Sequence, residues 1–417
     1  MIHSSAIAKT EMFHAIFYIM ENSSFVRSKF LFILFLFIFQ RKEFGVTAEK
    51  EMLMWDETLF RDSDIFELDY LPDYFPHREN QLNSIRYALK PAVRGGRPLN
   101  CLLYGPPGTG KTSAALKIFD ELKEFTDKVI TVKVNCQIDS TRFAVISRIY
   151  KSVFNIAPPA SGVSFNRIFD KLAKKLLDTD KILVVVLDDI NYLFYEGHAD
   201  EVMYSLLRAH EQYPGSKIGV IAIVNDPEII YGLDKRVSSV FLPEEIEFPR
   251  YEWSEIDDIL ADRIQRGFYS GVVGDDVREI MTDYVSENGD LRVGVDLMKR
   301  SGLNAEKRSS RRIDIEDVNK AYASSRSLYL SRMFSVLSDH EKYLAIQATD
   351  AGEISAGDLY EKFRDHTGIG YTRFYEIVNK MLSAGYLIAD FSGKGSKGRT
   401  RMIRSGFKKE ELEELLK

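Results

Sequence analysis

The 417-residue chain has room for two to four domains, and its 45% hydrophobic and 28% charged residues are the balance of a soluble globular protein. Two cysteines, Cys101 and Cys136, do not suggest a disulfide framework and fit a reducing cytoplasm, and seven histidines without ligand spacing give no zinc site. A net charge of −6 speaks against nucleic-acid binding by bulk charge, leaving only local basic patches as a route to a phosphate backbone.

The amino terminus carries FLFILFLFIF over Phe30 to Phe39, flanked by Lys29 and Arg41. Ten apolar residues are too few to cross a bilayer, which takes about 20. A signal-peptide core has this length, but no small-residue cleavage site follows. A membrane or partner anchor is one reading. The preferred one is translated AT-rich non-coding DNA ahead of a start at Met52 or Met54, so that residues 1–54 form a disordered or mis-assigned leader.

Residues 55–98 are acidic and polar, then carry Phe75-Pro76-His77-Arg78-Glu79 and a helical pattern through Leu82, Ile85 and Leu89. Pro98 precedes an expected strand, Leu99 to Tyr104. It runs into Gly105-Pro106-Pro107-Gly108-Thr109-Gly110-Lys111-Thr112, which fits the phosphate-loop pattern G-x-x-x-x-G-K-[ST]. Helix formers from Ser113 onward supply the strand–loop–helix context that such a loop needs. Its glycines let backbone N–H groups turn toward phosphates. Lys111 would reach the β- and γ-phosphates, and the Thr112 hydroxyl would hold Mg²⁺.

A helix to about Phe125, a strand over Val129 to Val134 and a helix from Arg142 to about Val153 follow. NIAPPASGVS over residues 155–164 is a Pro/Gly/Ser turn, and another helix runs to about Leu177. KILVVVLDD ends at Asp189 as a strand buried on both faces, as in a parallel sheet. Its terminal carboxylates read as a Walker B site, with Asp188 on Mg²⁺ through water and Asp189 polarising the attacking water. Asp189 is one methylene shorter than the usual Glu, which disfavours fast hydrolysis. After a helix over Asp200 to His210, KIGVIAIVN forms a further buried strand ending at Asn225. Asn225 either lies beside the γ-phosphate or opens an Asx-turn into Asp226-Pro227. The alternation predicts a parallel α/β sheet covered on both faces.

Strands stop after Phe248-Pro249, and residues 251–325 read as a separate helical domain. From Val336 onward, helices over Asp339 to Ala348, Ser355 to Thr367 and Thr372 to Ala384 precede Tyr386 to Phe391, a glycine-basic turn and Thr400 to Arg404. Three helices and a hairpin predict a winged helix-turn-helix. Phe391 to Lys409 hold seven Lys or Arg and no acid. Arg373 would sit at the start of the recognition helix and contact a guanine or a phosphate. Lys394, Lys397, Arg399 and Arg401 would make a basic wing. A solvated hairpin, or a winged helix used for protein contacts, is the alternative.

These features, with the arginine of LDKRVSS (Arg236) and the GDLR sequence that ends in Arg292, stand in an order that resembles the AAA+ ATPases. Within them the chain is similar to the archaeal replication initiators of the origin-recognition/cell-division-control family. FPHRE, the PPASG turn and FLPEEIEFPRY extend the match, which covers residues 57–417. The resemblance implies an α/β AAA+ parallel-sheet nucleotide-binding base over 55–250, an α-helical lid with a linker helix over 251–335, and a carboxy-terminal winged helix-turn-helix over 336–417. It implies that Pro76, His77 and Arg78 lie at the adenine pocket, that Gly105 to Ser113 bind phosphates, and that Tyr251 and Arg263 join them. It implies that Asn225 is sensor 1, Arg292 is sensor 2 reaching from the lid to the γ-phosphate, and Arg236 an arginine finger. An initiator-specific insertion that touches DNA would fall around Pro158 to Arg167.

The expected function is an ATP-dependent replication initiator with slow ATPase activity, taking ATP/ADP and Mg²⁺. It would bind origin duplex DNA, help load the replicative helicase and meet other initiator copies on DNA, with no membrane partner. Two rivals stand beside it: another winged-helix AAA+ motor, such as a Holliday-junction motor, and a DNA-binding regulator or paralogous initiator with idle ATP chemistry, which Asp189 keeps in play.

Overall fold

The computed structural model describes residues 58–159, 162–383, 385–391, 401–409 and 412–413. The expected leader, the wing residues Lys394, Lys397 and Arg399, and Ala160 and Ser161 of the PPASG turn lie outside the described residues.

Five parallel strands form the central sheet: β1 (Cys101–Tyr104), β2 (Val129–Asn135), β3 (Ile182–Asp188), β4 (Ile218–Val224) and β5 (Glu244–Glu247), in the order β2-β3-β4-β1-β5. Every residue of β3 and β4 is buried. Strand alternation explains why both strands are apolar throughout. Leu183, Val185 and Leu187 enter the core on one face, while Ile182, Val184 and Val186 enter the core on the other. Each such side chain contributes roughly 1.5–3 kcal/mol of burial.

Helices α1 (Glu79–Val93) and α2 (Lys111–Phe125) cover one face through Leu82, Ile85, Leu89, Ala114, Ala115 and Ile118. Helices α3 (Arg142–Phe154), α4 (Phe165–Asp178) and α5 (Ala199–Leu207) cover the other. Strand β5 was not expected from sequence. Its residues Glu244, Glu245 and Glu247 are exposed and only Ile246 is buried, so an edge strand beside β1 carries almost no apolar signal.

The lid contains α6 (Trp253–Gly267), α7 (Asp275–Asn288), α8 (Leu291–Lys307) and the start of α9 (Ile315–Ser335). Leu59, Ile65 and Phe66 pack into this helical core, although they precede the base in sequence and were expected with it. Phe60, Phe66 and Phe268 form an aromatic cluster, with centroids of Phe66 and Phe268 4.6 Å apart. Gly267 and Gly302 leave the room for those rings: a Cβ on either would overlap Phe66 or Phe60. Helix α9 is continuous from Val318 in the lid core to Leu330 and Phe334 in the next core.

The last unit has α10 (Asp339–Ala351), β6 (Glu353–Ser355), α11 (Ala356–Thr367), α12 (Tyr371–Ser383), β7 (Leu387–Phe391) and β8 (Arg401–Ser405). Its antiparallel sheet has the order β6-β8-β7. On α12, Phe374, Ile377, Val378 and Met381 face the core at helical spacing. Tyr371, Arg373 and Tyr375 stay exposed.

Candidate nucleotide-binding site

The chain leaves β1 at the point where sheet order reverses, because β2 lies at the far edge beyond β3 and β4. In open parallel sheets that arrangement opens a crevice at the carboxyl ends of the strands. A cavity of about 720 Å³ occupies this place, lined by Pro107 to Ser113, Asp188, Asp189, Asn225, Tyr251, Arg263 and Arg292.

The loop's shape follows from its glycines. Gly105, Gly108 and Gly110 have φ of 138°, 72° and 94°, a region that L side chains avoid. A Cβ on Gly105 would also run into the Phe248 carbonyl. Lys111 begins α2 and is buried, with Nζ donating to Gly105 O at 2.6 Å, Pro106 O at 2.8 Å and Asn225 Oδ1 at 3.2 Å. Burial lowers its pKa to about 8, against the pull of Asp189 and Asp188. Gly105 and Pro106 therefore hold the lysine with their carbonyls rather than line the cavity.

Asp188 closes β3 and is buried. Its Oδ1 accepts from Thr112 Oγ1 at 2.8 Å, and its Oδ2 lies 3.1 Å from Lys133 Nζ. The Thr112 hydroxyl and this carboxylate form a hard oxygen pair of the kind Mg²⁺ uses when phosphates and waters complete its shell. Among the described residues no group of three or more His, Cys, Asp or Glu could cage a metal alone, so the pair fits a metal shared with a ligand. Asp189 faces the same cavity with φ of 53°, and its pKa is raised by burial and then by Asp188.

The lid reaches the loop through one turn. Gly289, at φ 67°, ends α7 with its N–H on Val285 O. Asp290 then caps α8, its Oδ1 accepting from Arg292 N at 2.9 Å. The same carboxylate accepts from Arg292 Nη2 at 2.6 Å. Asp290 stands so close to the phosphate loop that a Cβ on Gly108 would overlap it.

The residues expected at an adenine pocket divide. Pro76 lines the cavity together with Phe75, but His77 and Arg78 do not. Arg78 is buried, stacks 3.6 Å over Tyr251 and spends its fork on the carbonyls of Thr109, His77 and Pro249. It braces the loop from behind. His77 Nε2 meets Asp258 on α6 at 3.2 Å. Tyr251 is pushed up to about 12 by burial, and Arg263 sits beside the Tyr70 ring. Arg236 is not in this cavity. It is exposed on a one-turn helix, Lys235–Ser238, paired with Asp234 at 3.1 Å, and its carbonyl accepts from Arg208.

Arg373 and Arg401 lie on the last unit. Arg373 pairs with Glu376 at 2.7 Å, and Arg401 donates to Asn379 Oδ1 at 2.9 Å beside the Tyr375 ring. Among the described residues no helix is long and apolar enough to cross a membrane.

Residues 74–221 match the AAA ATPase domain and residues 257–323 match the Cdc6 AAA+ ATPase-type lid domain. The ORC1-type DNA replication protein 2 of Methanosarcina mazei is 58% identical over 367 residues, spanning 88% of this chain and 98% of that protein. The chain belongs to the ORC1-type family of AAA+ DNA replication proteins. Another ORC1-type relative, DNA replication protein 6 of Halobacterium salinarum, is 48% identical over 85% of this chain and 96% of its own length. The solved structure of Aeropyrum pernix ORC1 in complex with DNA shares the fold with a TM-score of 0.67 and 27% identity, covering 87% of this chain and 97% of that one.

One residue lining this ORC1-type cavity, and one beside its phosphate loop, were missed from sequence. Lys133 is the lone charge in VITVKVN, a departure from apolar alternation that marks it. Asp290 was read only as part of a turn before Arg292.

Proposed function

We propose that this chain is an ATP-dependent replication initiator that binds origin duplex DNA and helps load the replicative helicase, with bound nucleotide as its conformational switch. The observation that carries this reading is the meeting of lid and base at one cavity, which Arg292 of α8 lines together with Gly108 and Lys111, while Asp290, the cap of α8, stands against Gly108. A γ-phosphate there would be shared by Lys111 and Asn225 from the base and Arg292 from the lid. Its loss would release one domain from the other. Mg²⁺, held by Thr112 and through water by Asp188, would supply charge neutralisation of the β- and γ-phosphates. Asp189 would orient the attacking water, from a shorter side chain than Glu, which favours slow turnover. Exposed Arg236 would act in the cavity of a neighbouring copy on DNA, as arginine fingers supplied in trans do.

DNA binding is supported by the basic carboxy-terminal segment and by the DNA complex of the Aeropyrum pernix relative. Arg373 on the exposed face of α12 would read base edges, with Arg401 and the wing residues Lys394, Lys397 and Arg399 on phosphates. The test is fluorescence anisotropy with origin and random duplexes at several salt concentrations, with ATP or ADP. Replacing the three wing residues by Ala should weaken binding to both duplexes and flatten the salt slope. Replacing Arg373 should narrow the gap between them. Full affinity and an unchanged slope in the triple variant would overturn DNA binding through the winged helix. A second reading, a DNA-binding regulator with idle ATP chemistry, is favoured by Asp189 alone. It predicts DNA affinity that is the same with ATP, ADP or neither.

A further inference from the structure

We propose that Lys133 is a built-in counter-ion for Asp188, which lets the cavity hold a nucleoside di- or triphosphate without a divalent cation. The inference rests on the reading of this cavity as a nucleotide site.

The geometry begins in the sheet. Strands β2 and β3 run in register, with Lys133 opposite Val186 and Asn135 opposite Asp188. Alternation places Lys133, two residues before Asn135, on the same face as Asp188, toward α2. From there Nζ reaches Asp188 Oδ2 at 3.1 Å while Thr112 holds Oδ1. Both oxygens of a nearly buried carboxylate are thus satisfied by the chain itself. The Lys133 side chain keeps 34% of its surface and lines the cavity. Its ammonium therefore faces both the carboxylate and the space where phosphates would lie.

Charge bookkeeping explains the consequence. Five carboxylates and five Lys or Arg side chains line the cavity, and Lys133 is one of the five cations. Without Lys133 the set carries a net negative charge, and an entering polyphosphate meets repulsion until a divalent cation arrives. With Lys133 the set is balanced beforehand. The residue also holds the carboxylate that a metal-bound water would need, so bound Mg²⁺ gains less here than it would beside an unpaired Asp188.

The measured quantity is the ratio of mant-ADP dissociation constants in EDTA and in excess Mg²⁺, for the full chain. Lys133→Met should raise that ratio by about tenfold, mostly by weakening binding in EDTA, since one unit charge near the phosphates is removed. Lys133→Arg should restore the ratio to within a few-fold of the parent. Thermal melting checks folding, and Lys133→Gln carries the same test if the Met variant melts early. A parent-like ratio in the folded Lys133 variants overturns the proposal and leaves the nucleotide reading intact. A parent protein that binds no mant-ADP in either buffer, as Lys111→Ala is expected to behave, overturns both.

Discussion

Asp290 and Arg292 form a closed pair at the edge of the phosphate loop. The carboxylate accepts from Arg292 Nε at 2.9 and 3.1 Å and from Nη2 at 2.6 Å, and it also caps the helix that carries the arginine. A γ-phosphate would have to compete with this carboxylate for the guanidinium. Asp290→Asn keeps the cap, since Asn and Asp rank alike there, and removes the charge. ATP affinity should then rise relative to ADP by about tenfold. Isothermal titration with both nucleotides checks this, and an unchanged ATP-to-ADP ratio rules out competition for Arg292.

Lys111→Ala should lose most nucleotide affinity, on the order of a hundredfold or more, because a charge-assisted donor to the phosphates disappears from a buried site. The lysine also ties together the Gly105 and Pro106 carbonyls and Asn225, so part of the loss would come from a loosened loop. Titration showing parent-like ATP affinity would refute the site.

Asp189→Glu should hydrolyse ATP at an equal or higher rate, because the longer side chain reaches further toward an attacking water. The backbone at φ 53° suits Asp better than Glu, so the variant should also lose up to about 1 kcal/mol of stability. Single-turnover rates and melting curves measure the two effects separately. A sharp fall in rate would mean that the catalytic geometry is built around the shorter carboxylate.

Phe66→Ala should destabilise the lid by about 3–5 kcal/mol, the range for emptying a buried phenylalanine site. Phe66 fills the space over Gly267 and packs at a tilt against Phe268, so its loss leaves a cavity that the helices cannot close. Limited proteolysis should cut α6 and α7 first. A lid that resists protease like the parent would show that Leu59–Phe66 is a passenger.

Local and periodic signals made much of this protein legible. The phosphate loop, the carboxylates ending β3 and the apolar runs of β3 and β4 are contiguous stretches in which neighbouring residues jointly state a conformation. Helix α12 was readable because Phe374, Ile377, Val378 and Met381 repeat at helical spacing. Strand β5 was not, because an edge strand needs apolar residues on few positions and spends the rest on charge.

What sequence by itself determined is the set of short-range devices: the glycines that permit the loop's backbone, the caps that start helices, and the binary pattern that selects sheet or helix. Tertiary structure decided which of those devices meet. Arg78 was legible as a motif residue, yet only folding turned its guanidinium to three carbonyls behind the loop instead of into the cavity. Leu59 to Phe66 joined the lid because the rings of Phe60 and Phe66 found room over Gly302 and Gly267, more than 200 residues away. Lys133 met Asp188 because two parallel strands settled in one register. Such pairings depend on the burial of whole elements against one another, a sum over many contacts that no local pattern in the chain encodes.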